Sequence, residues 1–158
     1  MAPRTRAASA AAAGATCLLL DLSHDEGSIV THELCDPLRP LLAVHLSSTA
    51  KGLWVPMQEQ LAELRQRHAE AAAMAAAWGM SCAALADATQ LLLGAFYKKP
   101  LTLARWRTLG MLVGCGSLSK LQGLCISGDD NGGEGVVSLA DGLRRGRLPS
   151  LRKLYLVD

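Results

Sequence analysis

The chain has 158 residues, half of them apolar, which suits one compact core and leaves too little for several domains of ordinary size. Its 16 basic and 14 acidic residues leave a formal net charge of +2 and aromatics make up only 4%, so neither a basic field nor stacking platforms for nucleic acid are expected. Cys17, Cys35, Cys82, Cys115 and Cys125 lie without a C-x2-C pair, against a zinc site or a disulfide framework and in favour of idle thiols in a reducing, cytoplasmic setting.

Residues 1–20 begin alanine-rich with Arg4, Arg6 and no acid, then a short apolar run at Leu18 to Leu20. A secretory signal or an organelle transit peptide shares these features, but the composition favours a low-complexity, disordered tail. No apolar stretch reaches the roughly 18 residues of a spanning helix, so no membrane partner is expected.

Residues 21–80 read as a helical cap region. A short helix is expected through Ile29, Val30 and Leu34. Asp36 and Pro37 then offer an N-cap and a first-turn proline, and Leu38, Leu41, Leu42, His45, Leu46 and Thr49 continue one helical face to about Leu53. His45 on that face reads as a packed histidine rather than a metal ligand. Ile29-Val30, Leu34, Asp36-Pro37-Leu38 and Leu46 through Trp54 together are similar to a degenerate F-box lacking its leading Leu-Pro. That resemblance implies docking to a ubiquitin-ligase adaptor.

The longest helix is expected from about Met57 to Trp78. Its seam is Met57, Leu61, Leu64, His68, Ala71, Ala75 and Trp78, with Gly79 as the stop. Packing of this seam on the preceding helix is favoured over a coiled-coil dimer.

Residues 81–158 contain a repeat. Leu118, Leu121, Leu124 and Ile126 return thirty residues later as Leu148, Leu151, Leu154 and Leu156. A worn copy with alanine at one position runs Leu85, Ala88, Leu91, Leu93. The alternation predicts strands near 90–93, 123–127 and 153–157. Turns are expected at Phe96 to Pro100 and Ser127 to Gly133. Helical stripes follow: Leu103, Trp106, Leu109, Leu112 and Val113, closed by Gly114 and Gly116, and then Val136, Leu139, Ala140 and Leu143.

With Leu121, Leu124, Ile126, Gly135, Leu139 and Leu143 in register, this unit resembles the ribonuclease-inhibitor type of leucine-rich repeat. Asp129 and Asn131 depart from its pattern. The resemblance implies an α/β fold in which an N-terminal helical cap is followed by a short solenoid of about two to three strand-helix repeats with parallel strands, the last incomplete. A plain βαβ domain gives the same local pattern.

No G-x-S-x-G, H-E-x2-H, P-loop or dinucleotide glycine pattern occurs, so neither an enzyme nor a cofactor is expected. The loop Asp129 to Glu134 lacks the EF-hand order, so a solvated turn is expected there rather than a calcium site. The expected role is a non-enzymatic protein-binding module using the outward strand residues Gln90, Leu92, Cys125, Ser127, Lys153 and Tyr155, with Tyr155 as anchor. Leu154 to Asp158 has no helix to cover it, which points to a longer array or to self-association.

Overall fold

The computed structural model describes residues 34–49, 58–94, 97–99, 101–127 and 132–157. The expectations for the N-terminal tail, the helix through Ile29, and the residues 50–57, 95–96, 100, 128–131 and 158 lie outside these. The fold is mixed α/β. In order come α1 (Leu41–Thr49), α2 (Gln58–Ala77), α3 (Cys82–Ala86), β1 (Gln90–Leu93), α4 (Leu103–Cys115), β2 (Gly123–Ser127), α5 (Gly132–Arg144) and β3 (Lys153–Val157). They fall into two compact units, Met1–Cys35 with Leu41–Ala62, and Asp36–Pro40 with Glu63–Asp158.

In the first unit α1 differs from expectation. It starts at Leu41, and its buried positions are Ala43 and Ser47, while Leu41 and Leu42 are 69% and 59% exposed. His45 is exposed rather than packed. The helix is apolar on nearly every side, so the spacing of leucines cannot choose which face turns inward. Asp36 does not cap it. Instead Asp36 closes a turn of its own, accepting the Leu38 N–H on Oδ1 at 2.9 Å and the Arg39 N–H on its carbonyl at 3.0 Å.

The second unit holds a three-stranded parallel sheet in the order β1-β2-β3. Its three strands fall where the alternation placed them. Leu91, Leu93, Leu124 and Ile126, all inward-facing, are at most 3% exposed and pack with Trp106, Leu109, Leu112 and Leu139 of the helices. Ala71, Met74, Ala75 and Trp78, from α2 and the turn after it, join the same cluster. Met74 was not part of the predicted seam. The strand entries share one backbone pattern: the Thr89 carbonyl accepts the N–H groups of Gln122 and Gly123 at 2.7 and 3.1 Å, and the Gln122 carbonyl accepts those of Arg152 and Lys153 at 2.8 and 3.0 Å.

Local signals explain the helix ends. Ser81 accepts the Ala84 N–H at 3.1 Å and starts α3, a helix the repeat spacing did not reveal. Thr102 caps α4, and Gly116 ends it in the left-handed region at φ +81°. Gly114 does not close α4 but lies within it, buried, with α5 alongside. The two helices touch through backbone: a Cβ on Gly110 would stand 2.3 Å from the Ser138 carbonyl oxygen, and one on Gly142 would stand 2.3 Å from that of Gly110. Gly135 similarly lies under the Trp106 indole. Among the described residues no helix is long and apolar enough to cross a membrane.

Candidate binding surface

The register brings all six predicted surface residues to one side of the sheet. Gln90 aligns with Gly123 and Lys153, and Leu92 aligns with Cys125 and Tyr155. Because inward and outward side chains alternate, these rows face away from the buried leucines. Leu92 and Tyr155, at the two ends of the second row, are 44% and 55% exposed, and Gln90 and Lys153 are exposed too. Val157, opposite Ser127, belongs to the same face.

Cys125 and Ser127 are less available than the other four. Both are half-buried. The Ser127 hydroxyl donates to the Leu93 carbonyl at 3.3 Å, and the Cys125 thiol lies 3.8 Å from the Tyr97 hydroxyl. The hydrogen bond to Cys125 first, then the electrostatic effect of that thiol and the desolvation of the phenol itself, holds Tyr97 above its usual pKa. Tyr97 thus joins the surface although sequence reasoning saw only a turn around it. Just before it, Gly94 lets the chain pass close to Ser127, since its φ is +110° and a Cβ there would meet the Ser127 carbonyl oxygen at 2.2 Å.

Other polar clusters have structural explanations. Asp87 receives Lys120 at 2.6 Å and Arg39 at 2.8 Å. The Lys120 hydrogen bond first, then the attraction of Lys120 and Arg39, holds its carboxyl below the usual range. Cys115 lies 3.0 Å from the Ser117 hydroxyl, which donates to Asp36 at 2.6 Å. The thiol also donates to the Leu112 carbonyl at 3.4 Å, so these bonds join the end of α4 to the Asp36 turn. His68 meets the Pro37 carbonyl at 2.7 Å, which ties the Asp36 turn to α2. The open groove of Arg107, Gly133, Glu134, Val137 and Ser138 holds one carboxylate, paired with Arg107 at 3.7 Å. Among the described residues no three His, Cys, Asp or Glu groups gather as a metal site would require.

The F-box-like stretch Ile29 to Trp54 is described only from residue 34 to residue 49. Comparison with protein-family models, with curated proteins and with solved structures finds no match.

Proposed function

We propose that the chain is a non-enzymatic protein-binding module, a short leucine-rich-repeat array that docks a partner on the outer face of its sheet. The supporting observation is the continuous row Leu92, Cys125, Tyr155, with exposed apolar bulk at both ends and Lys153 beside it. No carboxylate stands on this face of the three strands. A partner segment with an apolar side chain for the row and a carboxylate for Lys153 fits it.

Three strands about 4.8 Å apart and about 16 Å long offer a contact of roughly 200 Å² in projection, far below the ~800 Å² per partner of standard interfaces. Affinity is therefore micromolar or weaker. The test is affinity capture with the intact chain beside a Tyr155→Ala, Lys153→Ala variant. Loss of a specific partner in the variant supports the reading, and retention of every partner by a folded variant refutes it.

A further inference from the structure

The connection from α5 to β3 carries a pattern that the outer face of the sheet does not use. Residues 142–157 hold five basic side chains and no acidic one. Among them Arg145 and Arg147 stand five and three residues before Ser150, and Leu151 follows it. Protein kinases that select arginine read charge and spacing: carboxylates in the kinase groove pair with guanidinium groups at fixed places before the hydroxyl, and an apolar pocket takes the residue after it. No other serine or threonine among the described residues has arginine at both places. Thr108 has Arg105 three residues before it, but Thr108 is buried in α4 and donates to the Ala104 carbonyl at 3.1 Å.

The fold sets this pattern at a surface. Arg145 to Leu151 lie between α5 and β3, outside helix and strand. Arg145 and Pro149 are exposed, and Arg147 and Ser150 are half-buried. The Leu151 N–H donates to the Leu148 carbonyl at 3.2 Å, which closes a turn with Pro149 and Ser150 at its corner. The hydroxyls of Ser117 and Ser127 are engaged, whereas that of Ser150 makes no hydrogen bond among the described residues. A kinase groove takes its substrate extended. Here that means giving up the turn bond and the partial packing of Leu148 and Leu151, a local opening that leaves the buried core in place.

The strand entries fix what a phosphate at this corner meets. The Thr89 carbonyl accepts the Gln122 N–H, and the Gln122 carbonyl accepts that of Arg152, so residues 89, 122 and 152 hold equivalent places. Two residues before them stand Asp87, Lys120 and Ser150. Lys120 already reaches its neighbour on one side, with Nζ 2.6 Å from Asp87 Oδ1. Ser150 holds the matching place on the other side. An ammonium has three N–H donors and can serve both.

We infer that Ser150 is a phosphorylation site for an arginine-directed protein kinase and that Lys120 receives the phosphate. The co-substrate is magnesium ATP. Ser150 Oγ forms a bond to the γ-phosphorus while the bond from that phosphorus to the bridging oxygen of ADP breaks; the hydroxyl proton passes to the kinase's catalytic carboxylate and ADP leaves. The product carries about two negative charges at pH 7 on a loop whose own charges are all positive. The site lies on the strand-start edge, so it stands whether or not the outer face binds a partner.

The test incubates the full, folded chain with magnesium ATP and a purified kinase that requires arginine five and three residues before serine. Phosphopeptide mapping separates Ser150 from Ser9, to which Arg4 and Arg6 give the same spacing outside the described residues. The expected result is phosphate on Ser150, with its rate of formation at least about tenfold lower in Arg147→Ala. Lost structure cannot cause that fall, since a freer loop is a better substrate. No phosphate on Ser150, or an unchanged rate in Arg147→Ala, overturns the site. Thermal unfolding of the chain carrying Ser9→Ala tests the pairing. Phosphorylation should raise Tm by about 3 °C at low salt, and Lys120→Ala should abolish the rise. A rise that survives Lys120→Ala, or no rise at all, overturns Lys120 as the partner of the phosphate.

Discussion

Replacing Gly142 by alanine should force two helices apart. The added Cβ would stand 2.3 Å from the Gly110 carbonyl oxygen, where an ordinary contact begins at 3.4 Å, so α4 and α5 must separate by about 1 Å. Both obstacles are backbone, and no side-chain rotation relieves them. Helix propensity favours the alanine by about 1 kcal/mol, whereas overpacking of a tight contact costs about 3 kcal/mol. The net expectation is about 2 kcal/mol of lost stability, or a Tm lower by about 4–8 °C for a chain of this length. Gly133→Ala in the same helix is the control. It meets nothing within 4 Å and should gain about 0.5 kcal/mol by restricting the unfolded chain. Urea unfolding followed by circular dichroism measures both. If Gly142→Ala also stabilises, with an unchanged m-value, the close approach of the two helices is refuted.

Leu124→Ala should cost about 2–5 kcal/mol because it opens a cavity in the core, whereas Leu156→Ala at the matching position of β3 should cost under about 1 kcal/mol in dilute solution. Equal losses in urea unfolding would contradict the exposure of β3. Asp36→Ala removes the carboxylate acceptor of the buried Ser117 hydroxyl and of the Leu38 N–H; a loss of about 1–3 kcal/mol is expected, and neutrality would show that the turn does not depend on it. Asp87 has its pKa lowered in the folded state by Lys120 and Arg39. Its contribution is therefore present above the usual carboxylate pKa of about 3.9 and is lost as pH falls through the lowered folded value. The Tm difference between the natural chain and Asp87→Asn should shrink in acid and in high salt. A difference that grows on acidification would reverse the assignment.

The sheet was legible because the spacing of leucines states two things at once. Leu124 and Ile126 alternate, which makes a strand, and Leu118 and Leu121 stand ahead of them in phase, which marks where each strand begins. The face of α1 was not legible, since a helix apolar on most sides carries no direction. The contact of α4 with α5 was hidden for another reason. A glycine advertises freedom of its own backbone, while its value here comes from a second glycine thirty-two residues away, Gly110 against Gly142. Tyr97 entered the surface through its contact with Cys125, twenty-eight residues on, which local patterning does not reach. For the six surface residues, alternation told which side they occupy. It could not tell that Cys125 and Ser127 spend their polar atoms on neighbours.

The glycine contact also governs curvature. Neighbouring strands stand about 4.8 Å apart, while helices held off by ordinary side chains stand 8–10 Å apart in a layer about 10 Å above them. Each strand-helix step therefore opens like a wedge, by about 30° at the wide spacing and about 18° at the narrow one. With Gly110 and Gly142 in backbone contact, α4 and α5 take the narrow spacing. The sheet beneath bends less for it, so the row from Leu92 to Tyr155 departs less from a plane than the wide helix spacing would make it.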